Sequence, residues 1–213
     1  MSKAEPKVNR AFVFALLCTS VAALPLLAQE ATPDPMNFEK TKAQAEAGDA
    51  VGQRELGKHY LYGAGVAGDF SEACKWFRKA AEQNDAEAQY DLGSVYDEGG
   101  EGVPRDLFEA CKWYRKAAEQ NYAKAQCCLG NAYNFGTGVP QDNVQAYKWL
   151  ALAAAQGDQN GKNALKLLEE VLGLTPAQKA EGEKLVRGFK PSPPSVAPKG
   201  SPTATSAASP PMI

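Results

Sequence analysis

The sequence predicts an all-α solenoid of about three helical hairpins stacked side by side, with a capping helix at each end. Three observations carry that reading. The first is a recurring signature. Gln53, Leu56, Gly57, Tyr60, Gly63, Gly65, Val66, Asp69, Ala73, Trp76, Ala80 and Ala81 return as Gln89, Leu92, Gly93, Tyr96, Gly99, Gly102, Val103, Asp106, Ala110, Trp113, Ala117 and Ala118. They return again as Gln126, Leu129, Gly130, Tyr133, Gly136, Gly138, Val139, Asp142, Ala146, Trp149, Ala153 and Ala154. Counted from Gly57 to Gly93 to Gly130, the steps are 36 and 37 residues, the extra one falling in the loop Gly99-Gly100-Glu101-Gly102. A period of that size is one helical hairpin that cannot bury its apolar side without neighbours. The second is spacing: Gln53, Leu56, Gly57 and Tyr60, and then Ala73, Trp76, Phe77, Ala80 and Ala81, each form one stripe of a 3.6-residue helix. The third is punctuation between the stripes, with capping and left-handed residues where helices must start and stop.

Taken in chain order, residues 1–28 read as an export signal. Lys3, Lys7 and Arg10 precede an uncharged stretch of 18 residues, Ala11 to Ala28, the basic-then-apolar order of a secretory leader. Cleavage after Ala28 or after Ala23 gives a mature chain that is periplasmic or secreted. Retention instead makes the stretch an inner-membrane anchor facing the periplasm, since its length nearly spans a bilayer. Ala15-Leu16-Leu17-Cys18 is a poor lipidation signal. Residues 29–37 are a linker, and Asn37 to Ala47 read as a leading helix without a full repeat.

The repeats come next, at about 49–84, 85–121 and 122–157. Asp69 with Glu72, Asp106 with Glu109 and Asp142 with Gln145 have capping-box spacing, so each aspartate starts a second helix and the later side chain reaches back to it. Gly48, Asn84, Asn121 and Gly157 stand where a left-handed residue closes a helix, and Asp49, Asp85 and Asp158 cap the next. Alanines and the glycine let helix axes approach, while Trp76, Trp113 and Trp149 are expected to supply the large buried volume. Residues 158–189 form the C-terminal cap. Leu165 takes the leucine position of an incomplete fourth repeat, and Thr175-Pro176 starts a last helix to about Phe189, with Ala180, Leu185 and Phe189 as inward contacts. From Lys190 onward, seven prolines in 24 residues with Ser, Ala and Thr read as a disordered tail, either a spacer or a frayed end.

The thrice-repeated pattern resembles the Sel-one-like repeat, a relative of the tetratricopeptide repeat, over roughly residues 38–189. The resemblance implies a right-handed superhelix acting as an adaptor or scaffold for other proteins. It also implies a rival, because some cysteine-rich relatives carry a penicillin-binding or β-lactamase label. That chemistry normally rests on a serine with lysine three residues later. Here Ser71 is followed by Cys74 and Ser94 by Asp97, and no other serine lies between residues 37 and 189. Relatives that staple each hairpin use cysteines eight apart, a spacing absent from Cys74, Cys111, Cys127 and Cys128. Cys111 with Cys128 is the best pair, and small buried hydrophobes are the other reading.

Charge and motif inventory exclude further classes. The chain carries a net −2; Lys3, Lys7, Arg10 and Glu5 of the leader remove two positive charges, and Lys190 and Lys199 of the tail two more, leaving the repeat body at −6. Such a body has no basic track for nucleic acid. Gly63-Ala64-Gly65-Val66-Ala67-Gly68 matches a dinucleotide fingerprint but comes after a helix instead of a strand, and later copies lose the third glycine, so it is a turn. His59 is the only histidine, which leaves no histidine-based metal cluster and no second histidine as base for a nucleophile. The sequence calls for no cofactor, metal or catalytic residue.

What remains is a partner surface. In tetratricopeptide-like folds the concave wall is lined by first-helix residues off the packing stripe. Carried onto this chain, these are Val51, Arg54, Lys58, Leu61 and Tyr62, then Glu87, Tyr90, Ser94, Asp97 and Glu98, then Lys124, Cys127, Asn131, Asn134 and Phe135. They differ between repeats while the stripe does not, as suits a groove that reads a protein or peptide partner, with Tyr62, Tyr90 and Phe135 as its aromatics. The competing reading is that they are ordinary solvated helix faces.

Overall fold

The computed structural model describes residues 35–193; the export signal or anchor, most of the linker and the tail from residue 194 lie outside the described residues. Among these residues there are nine helices: α1 (Pro35–Glu46), α2 (Ala50–Tyr62), α3 (Phe70–Glu82), α4 (Ala86–Glu98), α5 (Leu107–Glu119), α6 (Ala123–Phe135), α7 (Asn143–Ala155), α8 (Gln159–Glu170) and α9 (Pro176–Gly188). No strand occurs among them beyond an isolated bridge, Gly100 to Val103, which takes up the extra residue of the second repeat's loop. The hairpins are α2–α3, α4–α5 and α6–α7. Each packs on the next through its second helix, α1 covers α2, α8 lies against α6 and α7, and α9 folds back on α7. No described helix is long and apolar enough to cross a membrane.

The punctuation acts as its chemistry dictates. Asp69 accepts from Glu72 N–H, Asp106 from Phe108 and Glu109, and Asp142 from Val144 and Gln145, satisfying amides that the first turn leaves open. The return half of the capping box is not formed at these three starts. Glu72 and Glu109 instead hold Lys75 at 2.6 Å and Lys112 at 2.5 Å, one turn on. Thr175 with Gln178 makes the complete box. Asn84 (φ +66°) and Asn121 (φ +67°) take the left-handed conformation, the two non-glycine residues that do so among those described, and short amide side chains tolerate it best.

Packing bears out Trp113 and Trp149 as buried core residues and adds a second large residue beside each tryptophan. A methyl group on Gly57, Gly93 or Gly130 would sit 2.7 Å from Phe77, Tyr114 or Leu150 respectively. The glycine of each first helix is therefore a socket for the residue after the tryptophan, and Phe77, Tyr114 and Leu150 are the buried centres of the hairpins. The tryptophans pack beside them toward the preceding second helix. Trp76 is only half-buried, and Lys79, Lys116 and Lys148 lie 3.7, 3.9 and 3.9 Å over Trp76, Trp113 and Trp149, a cation–π arrangement.

A polar relay fastens one repeat to the next. Buried Gln53, Gln89 and Gln126 donate to the carbonyls of Ala45, Ala81 and Ala118 in the preceding helix at 3.2, 3.1 and 3.1 Å. Each accepts in turn from the glutamine that ends its own hairpin, Gln83, Gln120 or Gln156, at 2.7, 2.9 and 2.7 Å. The amide is the right group because it donates and accepts at once, so no buried polar atom of the relay is orphaned.

The C-terminal cap departs from expectation in two places. Ala180 is exposed; Gly182 makes the buried contact, its Cα against Tyr147, where a methyl would approach to 2.6 Å. Leu165 is half-buried, while Ala164 and Leu168 carry the burial of α8, because an incomplete repeat has no following helix to enclose its leucine.

Candidate partner-binding wall

The first helices α2 and α4 are joined by an ion lattice. Arg54 Nη1 donates to both oxygens of Asp85, at 2.9 and 3.1 Å, and lies 3.4 Å from Glu87. Lys58 Nζ reaches Glu87 at 2.9 Å and Glu55 at 3.1 Å. Asp85 also caps α4, so the lattice is anchored to a helix end. Burial opposes the charge on Glu87, but the hydrogen bond from Lys58 and the field of Arg54 win, and its carboxyl is held below the ordinary range. Asp91, one turn further, is the reverse. Burial dominates over the attraction of Lys58, the Glu87 charge adds repulsion, and its carboxyl is pushed up to about 6. Its Oδ2 has no hydrogen-bond partner.

Beside the lattice, Tyr90 packs on Tyr122 (ring centroids 5.4 Å) and on Tyr114 (5.8 Å). Tyr114 Oη donates to Ser94 at 3.4 Å. Burial, with Glu87 and Asp91 nearby, pushes the Tyr122 phenol up to about 12. The result is a wall with an aromatic patch, a paired ionic lattice and, beneath its surface, one buried carboxylate oxygen without a hydrogen-bond partner.

The other expected residues fall into three places. Val51 and Tyr62 are exposed, at 50% and 75%, at the two ends of α2; Leu61 and Phe135 are half-buried, and Glu98 and Lys124 exposed. Asp97 is engaged by Arg105, which donates to its carbonyl at 2.6 Å. Asn131 and Asn134 are 3% exposed and Cys127 is 5% exposed. These three do not line an open surface: Cys127 belongs to one apolar cluster with Ala164 and Leu168 of α8, and Asn131 donates to its sulfur at 3.7 Å. The incomplete fourth repeat has closed that end of the wall.

Asp91 and Tyr122 were not among the residues the sequence singled out. Asp91 lies one residue after Tyr90, so only tertiary structure could show that it turns toward Lys58. Tyr122 stands where Asp49 and Asp85 cap the other first helices and makes no side-chain cap, a departure from the repeat that could have been noticed.

No disulfide joins the four described cysteines. Cys111 instead donates to the Thr137 carbonyl at 3.3 Å, and burial pushes its thiol up to about 11, the behaviour of a small buried side chain.

The Sel1 repeat profile matches residues 50–85, 86–122 and 123–158. Among solved structures, the chain is 35% identical, over 71% of its length and with a TM-score of 0.64, to a protective antigen present in uropathogenic Escherichia coli strains that displays an SLR fold; it spans only 32% of that protein. A Sel1 repeat protein from Oxalobacter formigenes is 38% identical over 61% of this chain and 97% of its own, with a TM-score of 0.55. Cysteine-rich protein B of Helicobacter pylori, at 21% identity over 61% of this chain and 96% of its own, shares the fold (TM-score 0.51). No curated protein matches the chain.

Proposed function

Because this chain belongs to the Sel1 repeat family, whose members are typically non-catalytic scaffolds for protein interaction, we propose that it is an exported scaffold that binds a protein or peptide through the wall formed by α2 and α4. The observation that supports this best is the aromatic patch of Tyr90 with Tyr122 beside the ion lattice of Arg54, Lys58, Asp85 and Glu87. A buried acceptor without a partner costs stability, so Asp91 strains the wall from beneath and does not itself meet a bound segment. Arg54 and Lys58 take a narrower part than the sequence suggests. Their charges are spent on Asp85, Glu87 and Glu55, so they shape the wall and hold its carboxylates in place. The cell-envelope enzyme alternative has no serine–lysine pair to build on. Export, with residues 1–28 as cleaved signal, is part of the same proposal.

The test is partner capture from envelope extract with the full chain. Tyr90→Ala and Arg54→Glu should lose partners that the wild type retains, while the outer-helix variants Lys75→Ala and Lys112→Ala keep them. Equal retention by both sets, with helix content intact, would show that the wall is not the binding surface. Mass spectrometry of the captured bait should place the mature N-terminus at Gln29 or Leu24.

A further inference from the structure

The second helices carry a charge that the rest of the body does not. In α3, α5 and α7 seven cations stand against four carboxylates, a net of +3 in a repeat body of −6. Lys75 and Lys112 are spent on Glu72 and Glu109. The other exposed cations of α3 and α5 are held differently. Arg78 donates to the Tyr96 hydroxyl, and Arg115 to that of Tyr133 at 2.6 Å. Lys79 and Lys116 lie over the rings of Trp76 and Trp113. A neutral aromatic partner fixes a cation in place without cancelling its charge. On the wall the reverse holds, since carboxylates neutralise Arg54 and Lys58. Glu82 and Glu119 follow on the same exposed stripes and make no ion pair among the described residues.

The chain covers this layer only where the cations stop. On α7 the places of Arg115 and Lys116 are taken by Ala151 and Leu152. It is α7 that α9 packs on, with Phe189 edge-on to Trp149, ring centroids 5.7 Å apart. From there the described chain crosses to α5, where Ser192 N–H donates to the Glu119 carbonyl at 2.7 Å. The layer thus seats an extended segment laid across its helices, and three residues of chain, at most about 11 Å, pass from one second helix to the next. At that crossing the Lys148 ammonium is held below its usual range by burial, which Glu119 opposes and the charge of Arg115 reinforces.

We propose that the exposed strip of α3 and α5 binds an extended acidic segment of a partner protein, one carboxylate at the Arg78–Lys79 pair and one at the Arg115–Lys116 pair, about three residues apart. The inference stands apart from the reading of the α2–α4 wall. Charge complementarity names the occupant. Each guanidinium offers a planar fork to a carboxylate, and the ammonium beside it adds a point charge. The first helices α2, α4 and α6 carry a net −2, so the field of the body steers an acidic segment away from them and onto the second helices. The chain's own end supplies the spacing, because Phe189 to Ser192 makes the same step between neighbouring second helices.

The experiment uses the full chain and a fluorescein-labelled peptide with glutamate at every third position of a glycine–serine background, read by fluorescence anisotropy. The expected result is saturable binding that salt weakens and that a peptide with lysine in place of glutamate does not show. Arg78→Gln with Arg115→Gln keeps a donor for each tyrosine and removes the charge; it should weaken binding roughly tenfold, about threefold for each ion pair lost. Arg78→Lys with Arg115→Lys should restore part of it. Lys75→Ala with Lys112→Ala removes the same net charge from the same helices and should cost at most about twofold. Tyr90→Ala, on the wall, should change nothing, and circular dichroism should show the same helix content in every variant. No binding, equal binding of the lysine peptide, or equal losses in the arginine and lysine pairs would each overturn the proposal. So would sedimentation with phosphatidylglycerol vesicles that depends on Arg78 and Arg115 when the peptide does not bind.

Discussion

Asp91→Asn should make the protein more stable at neutral pH, although it deletes a charged group beside an ion lattice. The carboxyl is raised to about 6 in the fold, chiefly by burial, against about 3.9 in an unfolded chain. Between those values the native state binds more protons than the unfolded state, so stability falls as pH rises through the window and stays reduced above it. Two units at 1.36 kcal/mol each give roughly 2 to 3 kcal/mol. Arg54, Glu55 and Lys58 of α2, Glu87 of α4 and Tyr122 are the charged and titratable groups acting on Asp91 or near it, and Glu87 has the opposite sign. Held below its ordinary range, Glu87 contributes stability that is present above about pH 4.5 and lost as acid protonates it. The Asp91 window, about pH 4 to 6, therefore stands largely clear of it. Urea unfolding monitored by circular dichroism at pH 4, 5, 6 and 7 measures the difference. The variant should match the wild type near pH 4 and exceed it by roughly 2 to 3 kcal/mol at pH 7. A variant less stable at pH 7, or one whose pH slope parallels the wild type's, would refute the assignment of Asp91 as a strained, buried carboxylate.

Other perturbations test the packing. Trp113→Ala, in the middle repeat and 9% exposed, should cost roughly 3 to 5 kcal/mol by chemical denaturation, because layers on both sides bound the cavity. Gln89→Ala removes the acceptor for Gln120 and the donor to Ala81 and should cost roughly 1 to 3 kcal/mol; Gln89→Glu, which cannot donate, should cost no less. Gly93→Ala drives a methyl into the Tyr114 ring and should cost roughly 1 to 3 kcal/mol, a loss that Gly93→Ala with Tyr114→Leu recovers in part. Reductant should leave the melting temperature of the purified chain unchanged, since no disulfide joins Cys74, Cys111, Cys127 and Cys128.

Much of the fold was readable because the repeat states each rule three times. A single Asp-x-x-Glu or Asp-x-x-Gln is weak evidence of a helix start, but three at equal register, each behind a glycine loop, leave few other arrangements. What periodicity left undecided was adjacency. Trp76 and Phe77 both belong to the stripe, and periodicity cannot say which of two neighbours points at the facing helix. The glycine opposite decides it: Gly57 leaves a socket, and the side chain that enters it is Phe77. Gln83, Gln120 and Gln156 were equally visible, at steps of 37 and 36. They escape an apolar search because they are polar, yet they close the relay that joins successive repeats.

The wall was less legible, for two physical reasons. A charge read along one helix looks free until the next repeat is placed beside it. Arg54 and Lys58 seem available in sequence and are neutralised by Asp85 and Glu87, some thirty positions on. Position within the stack matters too. By register Asn131 is equivalent to Lys58 and Ser94, but it belongs to the last full repeat, where α8 replaces solvent, and its Oδ1 ends buried without a partner. A solenoid must close its open end with a cap, and a cap that packs on α6 removes that repeat from any groove. The open wall is thus set by where the repeats stop and spans α2, α4 and the Tyr122 end of α6. If the wall is the partner surface proposed above, a segment that crosses the middle of all three first helices would have to unseat α8.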